Sequence, residues 1–346
     1  MKRVFRNVTL SVLEFCALIY FSPAFSSVKE NDDLIEILRT HTYIALPLEQ
    51  QIEDEKATIE TVTNVLNMFR ETWQFKTDKI TITPHNPSDR INAWFTPSEN
   101  SLTFNIAFLG GRLVRTCRSI DIVSHETGHL FLKVLQPVWC RPCRPQTGAF
   151  DESFSDITAI LFGLWHAPSR KRALKNLQSQ KSCLGGDVGV CIRDMQTSKT
   201  LSELDSCEVH DLSQPFTAAV HDTLEDHFQI LHQQGVTMNN ICLGLARNFR
   251  DILVQGVLNT KDLKPSFGQI ALNMIRVAGP YKNSLGQNFV RRQILVLFYK
   301  QIDQKKYYTT GPYEGICDPQ TPMRSRNMTG YRYSKANYND SFCMIL

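Results

Sequence analysis

The sequence lacks a strong excess of charge of either sign. Its 346 residues include 38 lysines and arginines against 34 aspartates and glutamates, which gives a net charge of +4, and no basic stripe is present. Nucleic-acid-binding domains usually carry such a stripe, so this class of function is excluded. Internal repeats and low-complexity segments are also absent, and the 42% of hydrophobic residues is ordinary for a globular protein. The length favours two domains or two lobes.

A long apolar run is lacking as well. The apolar stretch at 8–21 is too short to span a bilayer comfortably. Basic residues precede it, and the small residues at 24–27 follow it. This order is typical of a signal peptide, with cleavage after Ser26. We therefore expect residues 1–26 to be removed and the mature protein to be secreted, extracellular or periplasmic, without stable insertion into a membrane.

Cysteines, in contrast, are numerous enough to support export. Ten are present, and nine remain if Cys16 leaves with the signal peptide. An oxidising compartment would pair most of them, and an odd number leaves at least one free or intermolecular. Cys183 and Cys191 flank a glycine-containing loop and are the best candidates for a local disulfide. Cys140 and Cys143 have no second CxxC motif beside them, which favours a disulfide over a zinc or redox site.

Hydrophobic periodicity predicts an α+β fold with two lobes. The first, 27–136, is mixed α and β; the second, 137–304, is mostly helical; residues 305–346 form an irregular cysteine-containing tail. Helices are predicted near 51–75, 119–135, 151–165, 214–233, 238–257, 267–278 and 286–303, strands near 79–83, 91–95 and 102–106, and a loop over 170–209. We expect the protein to be a monomer.

The central motif is His125-Glu126-Thr127-Gly128-His129. On a helix, residues four apart share one face, so both imidazoles can reach one Zn²⁺ ion. Glu126 lies beside them and can take a proton from water at the metal. The pentapeptide alone is only moderately specific, because it also occurs by chance on surface helices.

A third ligand is predicted on the next helix. A catalytic zinc site uses three protein ligands, and Glu152 can be the third. Asp156, one turn further along, can orient a ligand histidine. Asp151 and Glu152 could instead be acids favoured by a helix N-terminus, but this does not explain why the pair follows the HExxH helix so closely. No third histidine follows soon after His129, which excludes the metzincin pattern.

The sequence resembles the thermolysin-like neutral metallopeptidases, of the gluzincin type. The similar segments occur in the family's order at 92–95, 120–129, 148–156, 192–195 and 205–210. The resemblance implies a two-lobed fold with the active site in the cleft, a single catalytic zinc ion and a peptide or protein substrate. It also implies that Asn92 and Ala93 lie on an edge strand that pairs with the substrate and that Arg193 binds a substrate carbonyl. His210, held by Asp205, would stabilise the oxyanion.

The sequence departs from the family at several positions. The segment from Leu130 to Asp151 contains no tyrosine, where the family places an oxyanion-binding one, and the usual long propeptide is absent. Asp121 matches a calcium ligand of the family, but Gly163 stands where another carboxylate is expected, which argues against calcium. These departures leave two alternatives to an endopeptidase: a catalytically degenerate, secreted peptidase fold that acts as a binding module, and a zinc hydrolase with a non-peptide substrate.

Overall fold

The computed structural model describes residues 35–37, 46–139, 145–178, 183–189, 191, 193–195, 197–204, 208–292 and 294. The predicted signal peptide and the predicted tail at 305–346 lie outside the described residues. The fold is mixed α and β, mostly helical with a small sheet, which confirms the predicted α+β class. In the part of the chain that the structure describes, no helix is long and apolar enough to cross a membrane.

Helices make up most of the described chain. They are α1 Leu48–Arg70, α2 Ile120–Leu135, α3 Pro145–Trp165, α4 Ala167–Gln178, α5 Val209–Gln233, α6 Met238–Asn259, α7 Phe267–Val277 and α8 Lys282–Arg291. Short 3₁₀ turns occupy Thr116–Arg118, Gly186–Val188, Leu201–Glu203 and Gly279–Tyr281. The strands are β1 Ile35–Ile37, β2 Ile80–Pro87, β3 Ala93–Thr96, β4 Ser101–Leu109, β5 Arg112–Arg115, β6 Cys183–Leu184 and β7 Arg193–Asp194.

The main sheet has the order β1-β2-β4-β3, and β5 also pairs with β4. β1, β2 and β4 run parallel, whereas β3 and β5 are antiparallel to β4. β3 is therefore the last strand of this order, with Ala93 opposite Phe104. α2 packs against β3, which brings the sheet edge and the HExxH helix side by side.

α2 begins and ends where its sequence predicts. The Ser119 side chain accepts a hydrogen bond from the Ile122 amide at 3.1 Å and so caps the helix. His125, Glu126 and His129 all lie in the buried part of the helix. Such burial of polar groups is costly unless other groups compensate it.

Several predicted helix boundaries after α2 are wrong. α3 begins at Pro145 instead of near 151, so Glu152 lies well inside the helix. Proline is common at the first helical position, and the sequence prediction did not use this signal. The predicted loop at 170–209 starts with helix α4, in which only Ser169 and Leu177 are buried. Such a thin apolar stripe gives little periodicity to detect.

α2 and α3 pack closely because Gly128 faces Ser155. A Cβ atom at Gly128 would lie 2.7 Å from the Ser155 Cα, so only glycine permits this approach. An aromatic core continues from the contact: Phe131 on α2 stacks on Phe69 of α1 with ring centroids 3.9 Å apart, and Phe150 on α3 meets Phe216 of α5 edge-on at 5.2 Å. α3 is thus packed between α2 and α5, and its inner face is fixed relative to both.

Candidate metal centre

Two carboxylates orient the imidazoles of α2 from their outer nitrogens. Asp156 Oδ1 lies 2.9 Å from His125 Nδ1, and Asp151 Oδ1 lies 2.7 Å from His129 Nδ1. An ionised carboxylate only accepts hydrogen bonds, so the His129 ring carries a proton on Nδ1, whereas His125 Nδ1 is close to its carboxylate without an aligned hydrogen bond. The Nε2 atoms of both rings are left as the potential metal-binding atoms. Asp151 contacts the His129 ring, whereas its sequence position had suggested only an acid at a helix N-terminus.

The two Nε2 atoms point at each other. They are 3.1 Å apart, and Glu152 Oε2 and Oε1 lie 3.5 and 3.8 Å from the Nε2 atoms of His125 and His129. Two imidazoles that both presented lone pairs here would repel each other, so the arrangement favours a proton or a metal ion between the two Nε2 atoms. Ligand atoms of a tetrahedral zinc site with Zn–N bonds of about 2.0–2.1 Å lie about 3.3 Å apart, close to these separations. We call His125, His129 and Glu152 the His125 group.

The pKa values of both histidines are raised, so the site also favours their protonated, positively charged forms. Burial by itself lowers the pKa of His129, but Asp151 and Glu152 outweigh it and raise the pKa to about 10. For His125, burial is likewise outweighed by Asp156 and Glu152, which raise its pKa. The site therefore favours a positive charge between the imidazoles. The His125 group can hold a metal ion.

Glu126 lies next to this group without being part of it. Its carboxyl is buried, and neither oxygen has a hydrogen-bond partner among the described residues. Burial raises the pKa of Glu126, although His125 and His129 oppose this effect. A buried carboxyl without partners is unfavourable for stability, which points to a functional reason for its position.

Arg193 forms ion pairs with two acids of α3, Asp156 and Glu152. Its guanidinium Nη1 lies 2.8 and 2.9 Å from the two Asp156 oxygens, and Nη2 lies 3.1 Å from Glu152 Oε2. Arg193 is buried, on β7, which pairs with β6. The predicted disulfide between Cys183 and Cys191 is confirmed, and it closes the loop between these strands. Binding of a substrate carbonyl by Arg193 stays a prediction.

The disulfide loop is attached to the start of α2. Asp187 Oδ2 accepts from the Ile120 amide at 2.7 Å, and Asp187 Oδ1 accepts from the Ser119 hydroxyl at 2.5 Å. Two further cysteines, Cys117 and Cys242, are buried free thiols. The remaining cysteines of the predicted mature chain lie outside the described residues.

Asp121, which matches a calcium ligand of the thermolysin-like family in sequence, forms an ion pair with an arginine. Arg172 Nη2 lies 2.7 Å from Asp121 Oδ1, and Arg172 Nη1 lies 3.1 Å from Asp187 Oδ2. Burial and the nearby Asp187 carboxylate raise the pKa of Asp121 to about 7. The guanidinium thus supplies positive charge to both carboxylates.

His210 reaches the metal centre from α5. Its Nε2 lies 3.4 Å from Glu152 Oε2, and the side chain is largely buried. Its Nδ1 contacts Glu208, the residue that caps α5. Asp205, the predicted partner of His210, lies outside the described residues. Sequence analysis missed Glu208, because the helix was expected to start several residues later.

The predicted substrate-binding residues Asn92 and Ala93 lie at the start of β3, whereas the His125 group lies on α2 and α3. Ala93 is the first residue of β3, and the Asn92 carbonyl accepts from the Asn105 amide at 2.9 Å and from the Thr116 hydroxyl at 3.1 Å. The Asn92 side-chain oxygen is buried and has no hydrogen-bond partner among the described residues.

A second group of buried side chains has metal-ligand chemistry: Asp54, His85 and Cys117, here called the Asp54 group. Arg115 Nη1 lies 3.1 and 3.0 Å from the two Asp54 oxygens, and Arg118 lies 3.5 Å from one of them. His85 Nε2 is 3.0 Å from Asp54 Oδ2. Arginines already balance this carboxylate, so the Asp54 group is a buried ion-pair network that ties α1 to the sheet.

No protein-family model matches this chain, and no curated protein matches its sequence significantly.

Proposed function

We propose that this protein is a secreted zinc-dependent endopeptidase of the thermolysin-like, gluzincin type. The observation that carries the proposal is the convergence of His125 Nε2 and His129 Nε2, 3.1 Å apart, beside the buried carboxyl of Glu126. Glu152 completes three ligands, the number that catalytic zinc sites take from protein. The two-lobed arrangement with a cleft is part of this proposal.

Zinc held by these three side chains would act as a Lewis acid toward the scissile carbonyl and lower the pKa of the attacking water. Glu126 would take a proton from the attacking water as the water oxygen bonds to the carbonyl carbon. When the C–N bond breaks, Glu126 delivers the proton to the leaving nitrogen. The raised pKa of Glu126 suits this exchange, since a base works best with a pKa near the working pH.

Other residues position the substrate and the developing charge. His210 would donate from Nε2 toward the oxyanion, because this atom lies beside the proposed ligands, 3.4 Å from Glu152 Oε2. The edge strand β3 offers backbone groups at Ala93, and the Asn92 side-chain oxygen offers an acceptor for a peptide N–H. Arg193 contacts the substrate carbonyl from its position beside Glu152. Asp205 assists His210 in this proposal, as the resemblance implies.

Export and a monomeric state belong to the same proposal. The disulfide between Cys183 and Cys191 is consistent with an oxidising, extracellular location. The order of basic, apolar and small residues at the N-terminus supports a signal peptide removed after Ser26.

The test combines metal analysis with cleavage of a peptide library, on wild type and Glu126→Gln. We expect about one zinc per chain in both proteins and a loss of cleavage of at least 10²–10⁴-fold in the variant, the usual contribution of a general base. Glu53→Gln, which removes an exposed acid on α1, is the control and should behave as wild type. Wild type that takes up no zinc, or a Glu126→Gln variant with normal cleavage, contradicts the proposal.

A further inference from the structure

Glu208 makes three contacts in the first turn of α5. Its Oε2 accepts from the backbone amides of His210 at 2.9 Å and Asp211 at 3.2 Å, and its Oε1 contacts the His210 ring at Nδ1. One side chain therefore caps the helix and touches the imidazole. We propose that Glu208 is the residue that positions His210 toward the metal centre. This inference rests on the proposed function, because it assigns a positioning residue to the same site.

The cap makes Glu208 a fixed support for the ring. A side chain that accepts from the first amides of a helix is held relative to the helix axis. The start of α5 also contacts α3: the Ser153 hydroxyl, next to Glu152, lies 2.9 Å from the Ser213 carbonyl and shares its one proton between this oxygen and the equally close Ala149 carbonyl. The Ser213 hydroxyl in turn donates to the His210 carbonyl at 2.7 Å. The backbone of His210 is thus held to the helix that carries Glu152.

The contact at Nδ1 fixes the remaining freedom of the side chain. With the backbone held, the imidazole can still rotate about its two side-chain torsions. A carboxylate at Nδ1 selects the orientation in which Nε2 points to Glu152, at 3.4 Å. Because the carboxylate only accepts, it holds a proton on Nδ1, and donation from Nε2 to an oxyanion then requires the imidazolium form, which carries a proton on both nitrogens. Without Glu208, we expect the ring to sample other rotamers and to face the substrate carbonyl for a smaller share of the time.

The pairing of Glu208 with His210 is local in sequence, which makes it robust. Only Val209 lies between them along the chain, and the cap requires no distant segment. The resemblance instead assigns this task to Asp205. The two assignments make opposite predictions for single variants, so they can be separated by experiment.

The test needs a variant that loses the ring contact and keeps the helix cap. Glu208→Ser meets this condition, because serine is a strong N-cap but its hydroxyl is too short to reach Nδ1 in the same way. Glu208→Gln keeps the length and one acceptor oxygen and serves as the conservative variant. Asp211→Asn, which removes an acid in the same turn, is the matched control.

We expect Glu208→Ser to lower kcat about 10- to 100-fold with KM and the melting temperature nearly unchanged, which is less than the roughly 10²–10³ lost with a whole oxyanion donor. Glu208→Gln should recover part of kcat, and Asp211→Asn should match wild type. Combined with His210→Ala, Glu208→Ser should add little, since both act through one ring. A normal kcat in Glu208→Ser together with a low kcat in Asp205→Asn overturns the proposal.

A second measurement is independent of catalysis. In ¹⁵N-histidine-labelled protein, the Nδ1–H proton of His210, assigned by its loss in His210→Ala, should exchange slowly with solvent. It should exchange faster in Glu208→Ser and remain as in wild type in Asp205→Asn. Unchanged exchange in Glu208→Ser contradicts the positioning role. If wild type cleaves no peptide, the proposed function fails, but this measurement still decides where the His210 ring is held.

Discussion

The Asp54 group and the His125 group use the same kinds of side chain and have different partners. In the Asp54 group, one arginine contacts both oxygens of the carboxylate, at 3.1 and 3.0 Å. In the His125 group, Arg193 Nη2 lies 3.1 Å from Glu152 Oε2, and two imidazole nitrogens converge to 3.1 Å. The comparison teaches that ligand-type residues in proximity do not make a metal site. The decisive property is whether positive charge already balances them.

A second difference lies in the outer atoms of the histidines. His85 uses Nε2 for its contact with Asp54. The carboxylate therefore occupies the nitrogen that, in His125 and His129, is left to bind a metal ion. His125 and His129 turn Nδ1 to Asp156 and Asp151, and Nε2 stays directed inward. Carboxylates behind metal-binding histidines commonly have this role.

The largest effect is expected from removing one histidine of each group. His129→Ala should reduce bound zinc from about one per chain to almost none after dialysis, because two ligands rarely retain the ion. His85→Ala should keep it. Elemental analysis of both purified proteins makes the measurement. Zinc lost from His85→Ala and kept by His129→Ala would reverse the assignment of the two groups.

An intermediate effect is expected on stability from Asp54→Ala. The substitution leaves Arg115 and His85 without their buried partner, and breaking a buried ion pair in this way lowers the free energy of unfolding by about 3 kcal/mol. The low end of the usual range applies, because the Arg115 side chain is 22% exposed. Denaturant unfolding measures the change, and zinc content should stay normal.

Glu53→Ala is the control for that experiment, since it truncates the exposed neighbour on the same helix. Its effect should stay within about 0.5 kcal/mol, as for most surface substitutions. If Asp54→Ala is as stable as this control but has lost a metal ion, the Asp54 group is a metal site and the charge-balance argument is wrong.

The smallest effect is expected from the supports of the His125 group. Asp156→Asn removes the charge behind His125 and should weaken zinc affinity about 10- to 100-fold, the typical cost of losing such a partner. Asp151→Asn should do the same through His129. Competition with a chromogenic chelator measures the affinity. Asp121→Asn is the control, because Asp121 lies on α2 one turn before His125 and pairs with Arg172. This variant should keep the zinc affinity of wild type. An equal loss of affinity in Asp121→Asn would indicate a general effect of charge.

Local signals account for the features that sequence analysis predicted well. Ser119 marks the start of α2 because a short polar side chain can cap a helix, and the spacing of His125 and His129 follows from the helical repeat. The disulfide of Cys183 and Cys191 joins residues eight apart, so one loop determines it. In each of these cases the interacting atoms are close along the chain.

The sequence by itself therefore determined the α+β class, the helix that bears the HExxH motif and Glu152 as a third residue of a group that could hold a metal ion. Only the tertiary structure placed Asp151 behind His129, Arg193 on Asp156 and Glu208 on His210. It also showed that Arg115 balances Asp54, 61 residues away in sequence. The physical reason is that charge compensation in a buried site depends on distances between elements. Those distances are set by packing, such as the approach of α2 to α3 at Gly128, which no local pattern records.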